Sequence, residues 1–233
     1  MDNPDNLNTF LFIGSKKIEI SVKKKNDLKS YYQNEVENKS FQKEESYLLL
    51  DKFLNENIFK IEKKFNFFVE NIILIIDDDN QLDIKVSFKK KNDIDKFNQK
   101  SLNYLLTEAK NQISESYKEK IIIHMIIDNY LLDDNLYKTI PDDITYSQFS
   151  VSISFICLRI NYIRNLEKIL GNYQIKIQQI ISAKYLRDLF NNDTDFFTSG
   201  QKILDGYNQN EILFVPRTQK NKGFFEKFFL FFS

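Results

Sequence analysis

At 233 residues, with 42% hydrophobic and 28% charged residues, the chain is long enough to bury one large core or two small ones and too apolar to remain disordered. Lys plus Arg equals Asp plus Glu at 33 each, so no global field draws the molecule to nucleic acid, and none is expected as a partner. A single cysteine, Cys157, excludes an internal disulfide, no charged and apolar leader opens the chain, and no apolar run nears the roughly 20 residues that cross a bilayer. The expectation is a cytoplasmic protein that meets a membrane only at its surface.

Thr9 to Val22 reads as two short strands around Gly14, because β-branched and aromatic residues flank one permissive glycine. From Glu44 to Lys64, Tyr47, Leu50, Leu54, Ile58, Ile61 and Phe65 recur at spacings of three and four, which predicts an amphipathic helix. Strands follow at Ile72 to Ile76 and Leu82 to Phe88, separated by an acidic run, Asp77 to Asp79, that reads as a solvated turn rather than a cation site. The first ninety residues therefore form an α/β unit, and KKKND, Lys89 to Asp93, marks its boundary.

A second helix is predicted from Phe97 to Tyr117 on Leu102, Leu105, Leu106, Ala109 and Ile113. After it come a strand (Ile121 to Ile127), a loop through Pro141, a strand (Phe149 to Leu158), a helix (Tyr162 to Leu170), a strand (Gln174 to Ile181) and a short helix (Ala183 to Phe190). The overall class is α+β. Beyond Asn191 periodicity fades, and the segment reads as a linker.

Three stretches carry a family pattern. HMIIDNYLLD keeps His124, Tyr130 and Asp133 of an "HVIP…Y.ID" strand, with Pro141 eight residues after the Asp. ISFICLRINYIRNLEKILGNYQIKI matches a strand and helix of the form "VHLIT…KNI.K…GL.V" at Ile153, Asn165, Leu166, Lys168, Ile175 and Ile177. FIGSKKIEISV retains Ile13, Gly14, Ser15, Lys17 and Ile18 of a "DIGTSKI..LV" phosphate hairpin, with Phe12 in place of its Asp. Together these resemble the bacterial cell-division family FtsA, and residues Ile121 to Arg187 resemble the SHS2 subdomain, 1C, inserted in its actin-like fold. Departures are Ile127 for a Pro, Asp142 and Asp143 for "LG", and Gly171 within the connecting helix.

The resemblance implies a partial actin-like 1A subdomain over 1–90, an SHS2 subdomain over 91–188, a linker over 189–219 and a membrane-targeting helix over 220–233. It also implies that subdomains 2A and 2B are missing by length. An actin-like ATPase holds Mg–nucleotide between two hairpins that each supply a carboxylate. Here Phe12 replaces the first carboxylate and no second hairpin follows Ile181. Gly14, Ser15 and Lys17 are thus a degenerate phosphate hairpin; no cofactor, metal or catalytic residue is expected, and the protein is read as not an enzyme. His124 reads as structural and Cys157 as an inert core residue.

The tail NKGFFEKFFLFFS places Phe224, Phe225, Phe228, Phe229 and Phe232 within about 140° on a helical wheel, with Glu226 and Lys227 opposite and Leu230 out of pattern. Arg217, Lys220, Lys222 and Lys227 surround the rings as they would beside anionic lipid. FtsA-like proteins carry such a tail, so Phe224, Phe225, Lys227, Phe228, Phe229 and Phe232 are the expected membrane contacts. The function implied is an adaptor holding division proteins at the cytoplasmic face of the inner membrane. The family's main FtsZ-binding surface lies on 2B, so the implied contacts are self-association and the cytoplasmic segments of membrane division proteins. The alternatives are a PilM-like SHS2 protein of pilus assembly and a residual ATPase using Gly14, Ser15 and Lys17.

Overall fold

The computed structural model describes residues 6–212 except 26, 28, 40–42, 97–98, 141–144 and 192–194. In chain order the elements are β1 (Leu7–Ile13), β2 (Lys17–Lys24), β3 (Ser30–Glu37), α1 (Glu44–Phe65), β4 (Asn71–Ile76), β5 (Leu82–Lys96) and α2 (Gln99–Ser116). They continue with β6 (Lys120–Leu132), β7 (Asn135–Tyr137), β8 (Thr145–Arg159), α3 (Ile160–Gly171), β9 (Lys176–Ser182), α4 (Ala183–Phe190) and α5 (Phe196–Leu204). The fold is mixed α/β, in line with the expected class, and the chain divides into two compact units.

Unit 1 takes the described residues within 6–82, 119–123 and 156–208. Its sheet has the order β3-β2-β1-β4-β9, with β1, β4 and β9 parallel and β2 antiparallel to both neighbours. The pleat sorts the side chains onto two unlike faces. Leu11, Ile13, Ile18, Ile20, Val22, Ile72, Leu74 and Ile76 form an aliphatic face that joins Leu50, Leu54, Ile58 and Ile61 of α1 and Ile163, Leu166 and Leu170 of α3 in one core. Each such side chain contributes about 1.5–3 kcal/mol on burial. α1 begins on Glu44 and Glu45, ends on Lys63 and Lys64, and is closed by Asn66 in the left-handed conformation, so its charges complement its dipole. Asn57, buried on α1, accepts from Tyr32 Oη (2.6 Å) and Asn34 Nδ2 (2.7 Å), tying the helix to β3.

The opposite face is mixed. Cross-strand pairing puts Asn8, Phe10 and Phe12 beside Lys23, Ser21 and Glu19, with Ile73 and Ile75 on the other side. α5 covers this face with side chains of matching character. Asp195 caps the helix by accepting from the Phe197 (2.8 Å) and Thr198 (3.2 Å) amides. Lys23, with no solvent exposure, donates to Thr198 Oγ1 at 2.6 Å and lies 3.6 Å from Asp195 Oδ2, and Asn8 donates to Gln201 at 2.8 Å. Phe197 meets Phe10 at 6.0 Å between ring centroids. Gly200 allows the close approach: a Cβ there would stand 3.1 Å from Ile75 Cδ1 and 3.3 Å from Phe10 Cε1.

Unit 2 takes the described residues within 83–118, 124–155 and 209–212. Its sheet has the order β5-β8-β6-β7. Leu102, Leu105, Ala109 and Ile113 of α2 are buried, as are Met125, Ile127, Tyr130, Phe149, Val151, Ile153 and Phe155. β6 and β7 are joined by Asp133 and Asp134, both at positive φ (44° and 69°), the primed-turn geometry that matches strand twist. Asp133 accepts from the Ser147 amide (3.0 Å) and hydroxyl (2.8 Å) and the Gln148 amide (2.8 Å), and the Ser147 hydroxyl leads the interactions that hold its carboxyl below the usual range. Residues 210–212 add to β6 through Ile127 N to Asn210 O (2.9 Å) and Ile212 N to Met125 O (2.8 Å).

Several expectations are redrawn. The sequential split into 1–90 and 91–188 differs from the observed units, because β9 pairs with β4 and α3 enters the aliphatic core, returning residues 156–190 to unit 1. Lys89 to Asp93 is not a separator: β5 runs through it. The expected linker over 189–219 contains α5, and Glu211 lies buried in unit 2. β3 is an element the reading passed over. Pro141, Asp142 and Asp143 lie outside the described residues, as does the expected helix over 220–233.

Burial alone would raise the Asp195 carboxyl, but the Thr198 hydroxyl, Lys23 and two amides outweigh it and depress its pKa below the ordinary 3.8. A depressed carboxylate stabilises the fold above its unfolded value, and that contribution is lost as pH falls through the folded value. Asp195→Ala is expected to lower the unfolding free energy by about 0.5–2 kcal/mol at neutral pH, mainly through the cap. Chemical denaturation between pH 7 and pH 3 checks this, with the difference between the two proteins shrinking below pH 3.8.

Candidate functional site

The site begins where the parallel strands end. β1 stops at Ile13, the turn over Gly14, Ser15 and Lys16 reverses the chain, and β2 starts at Lys17. Gly14 N donates to Lys17 O at 3.0 Å, and Gly14 O accepts from Asn38 Nδ2 at 2.7 Å. Asn38 is itself buried and its amide donates to Lys16 O at 2.8 Å, so the turn is held from beside as well as within. The Asp77 amide donates to Ile13 O at 3.0 Å, bringing the end of β4 alongside.

Phe12 fills the region next to this turn. A Cβ on Gly14 would lie 2.9 Å from two ring atoms of Phe12 and 3.3 Å from Asp77 Cβ. A β-carbon at position 14 would therefore press on the neighbouring ring and force a shift, independently of any phosphate. Phe12 is buried and stacks on Phe196 of α5, with centroids 4.9 Å apart and planes at 16°. The Arg187 guanidinium lies 5.6 Å from the Phe196 ring.

The cations here are engaged. Lys17 Nζ is 2.6 Å from Glu19 Oε2 and 2.7 Å from Glu35 Oε2. Burial alone would lower its pKa, but those two hydrogen bonds outweigh burial and raise it. Arg187 makes a two-pronged pair with Asp77 at 2.7 and 3.0 Å, and the Asp77 hydrogen bond leads the interactions that raise its pKa. Lys17, Glu19, Arg187, Asp195 and Phe196 line part of a cavity of about 420 Å³. Its opposed charges neutralise one another, so it offers no concentrated field for a polyphosphate.

The structure thus brings Gly14, Ser15 and Lys17 together at one turn, with Gly14 buried, Ser15 exposed and Lys17 between. Phe224, Phe225, Lys227, Phe228, Phe229 and Phe232 lie outside the described residues. The acidic run is a solvated turn only at Asp79, which is exposed: Asp77 is paired with Arg187, and Asp78 is 3% exposed. Among the described residues no group of three or more His, Cys, Asp or Glu side chains could hold a metal ion. His124 is buried in unit 2 with Nδ1 2.6 Å from Glu211 Oε1, a partner 87 positions away that no local spacing reveals. Cys157 is buried. Among the described residues no helix is long and apolar enough to cross a membrane.

No protein-family model matches the chain, and no curated protein matches it by sequence. Among solved structures it is similar to the cytoplasmic domain of EpsL, an inner membrane component of the type II secretion system of Vibrio cholerae. That match has a TM-score of 0.36 and 8% identity, over 76% of this chain and 55% of that one. A second similarity is to the PilM–PilN type IV pilus biogenesis complex, with TM-score 0.46 and 10% identity, over 79% of this chain and 49% of that one. A third is to a Bacteroides thetaiotaomicron protein of actin-like ATPase fold and unknown function, with TM-score 0.38 and 10% identity over 80% and 55%. The chain spans about half the length of these solved chains.

Overpacking at the turn yields a test. Gly14→Ala is expected to cost about 1–3 kcal/mol. The loss shrinks when Phe12→Ala removes the ring, and a denaturant double-mutant cycle measures that coupling.

Proposed function

We propose that the chain is a membrane-surface adaptor of the FtsA type, which binds other proteins through its folded units and lipid through its Phe-rich tail, without hydrolysing ATP. The observation that carries this reading is the state of the hairpin. Phe12 lies beside the turn where the family's nucleotide-binding carboxylate stands, Phe196 is stacked on it, and Lys17 is engaged by Glu19 and Glu35. A polyphosphate at Gly14 and Ser15 would need that lysine back and would find no carboxylate at position 12 to order a metal's water.

The tail supplies the other half of the reading. Five Phe rings on one arc, flanked by cations, match an interfacial helix, and one short helix gives only reversible binding, so avidity from self-association or partners is part of the proposal. The partners proposed are cytoplasmic segments of membrane division proteins, or further copies of this chain. The site of action proposed is the cytoplasmic face of the inner membrane at the division site.

Two measurements test it. In liposome sedimentation with anionic vesicles, the full chain is expected to pellet and a version ending at Lys222 to stay in the supernatant, with binding weakened at high salt. Equal pelleting of the two versions contradicts the lipid role of the tail. Titration calorimetry with Mg–ATP is expected to show no binding heat up to millimolar nucleotide, and saturable heat would restore the ATPase reading.

A further inference from the structure

The inner side of α1 enters the aliphatic core through Leu50, Leu54, Ile58 and Ile61. Its outer side carries a second pattern. Spacings of four, three and four bring Leu48, Lys52, Asn55 and Phe59 into one stripe about 60° wide at 100° per residue. All four are exposed, Leu48 and Phe59 at 68% each. One exposed Leu is ordinary, but a Leu and a Phe about 16 Å apart along the same line of a helix, with a Lys and an Asn between them, have the layout of a helix-pairing seam. The ends of the helix are charged in opposite sense, Glu44 and Glu45 in the first turn and Lys63 and Lys64 in the last. All of these residues belong to unit 1.

We infer that this stripe pairs with the same stripe of a second copy of the chain, α1 against α1 in antiparallel sense about a two-fold axis. Charge selects the sense: a parallel pair would set Glu44 and Glu45 against their own copies and Lys63 and Lys64 against theirs. Symmetry then fixes the register. With Leu48 opposite the partner's Phe59, Lys52 falls opposite the partner's Asn55 and Glu44 opposite the partner's Lys63. Each contact occurs twice, so two apolar pairs flank a polar centre in which Lys52 donates to the Asn55 carbonyl, and slipped registers lose that match. The same register brings Glu45 near the partner's Glu62 and Glu56 near the partner's Asp51. Those two carboxylates are held toward their own chain, Glu62 by the Val69 amide (3.0 Å) and Asp51 by the Tyr173 hydroxyl (3.0 Å). A groove of about 1010 Å³ enlarges the contact: its walls are the second half of α1, with Phe59, and the turn from α3 into β9, with Gly171 and Tyr173. The partner's first helical turns run along it, where Phe68, 81% exposed, adds a further ring. The pairing stands on α1; it rests on the proposed function only for its use, since two tails on one assembly give the avidity that one short helix lacks.

Sedimentation of the full chain over the micromolar range is expected to give twice the 27.9 kDa of one copy. Leu48→Asp and Phe59→Asp, at exposed positions, should each raise the dissociation constant about tenfold or more while leaving the circular dichroism unchanged. Glu44→Lys is expected to weaken the pair, and Lys63→Glu in the same chain to restore it. Cysteine pairing reads the register, since the chain's own Cys157 is buried. A mixture of Leu48→Cys and Phe59→Cys chains should form a covalent dimer on oxidation. Either variant alone should not, because its two introduced thiols stand about 16 Å apart along the axis. A full chain that stays monomeric over that range, a dimer indifferent to both Asp changes, or equal disulfide yield from single and mixed samples would each overturn the pairing. Anionic vesicles separate it from the tail: a monomer that pellets removes the pairing and keeps the membrane reading, and a dimer left in the supernatant does the reverse.

Discussion

Lys23 places an ammonium inside unit 1 with no exposure to solvent, and such a group is tolerated only where acceptors meet it. The acceptors are Thr198 and, at longer range, Asp195, at the start of α5. Docking of α5 therefore follows from a polar requirement of the sheet as much as from apolar burial. Once α5 is seated, Phe197 reaches Phe10, Gly200 lets the helix lie close over Ile75, and Phe196 falls on Phe12. The turn is thus covered by an element whose position is set by Lys23, at the far end of β2 from it.

That chain of contacts gives the hairpin its chemical character. A phosphate-binding turn needs free amides, an available cation and a carboxylate aimed at a metal's water. In this turn the glycine accommodates a phenylalanine ring, the lysine is held by two glutamates, and the nearby arginine is committed to Asp77. The turn is a packed corner.

Much of the architecture was legible because each hydrophobic period is clean. Leu50, Leu54, Ile58 and Ile61 mark α1, and the alternation of Ile18, Ile20 and Val22 marks β2. β3 escaped because SYYQNEVE turns one face outward at a sheet edge and offers only Tyr32 and Val36 to the core. α5 escaped because it docks on a mixed face, so its buried positions include Thr198, Ser199 and Gln201, which read as loop composition. The unit boundaries were illegible for another reason: β4 and β9 meet across about a hundred residues, and no local pattern announces that pairing. At the site, Phe12 and Lys17 could be read directly, whereas Arg187 and Phe196 arrive through helices whose packing no spacing encodes.

The unlike faces of one sheet thus connect three levels, from the alternation in β1 and β2, through the docking of α5, to a hairpin turn packed beneath Phe196. We propose that this scaffold acts at a membrane through its tail. The most direct measurement is the position of an amino-terminal fluorescent fusion in dividing cells, compared with the same fusion carrying Phe225→Asp and Phe229→Asp. The expected result is a band at mid-cell for the unaltered chain and diffuse fluorescence for the variant. A diffuse unaltered chain, or a variant that still forms the band, would contradict it.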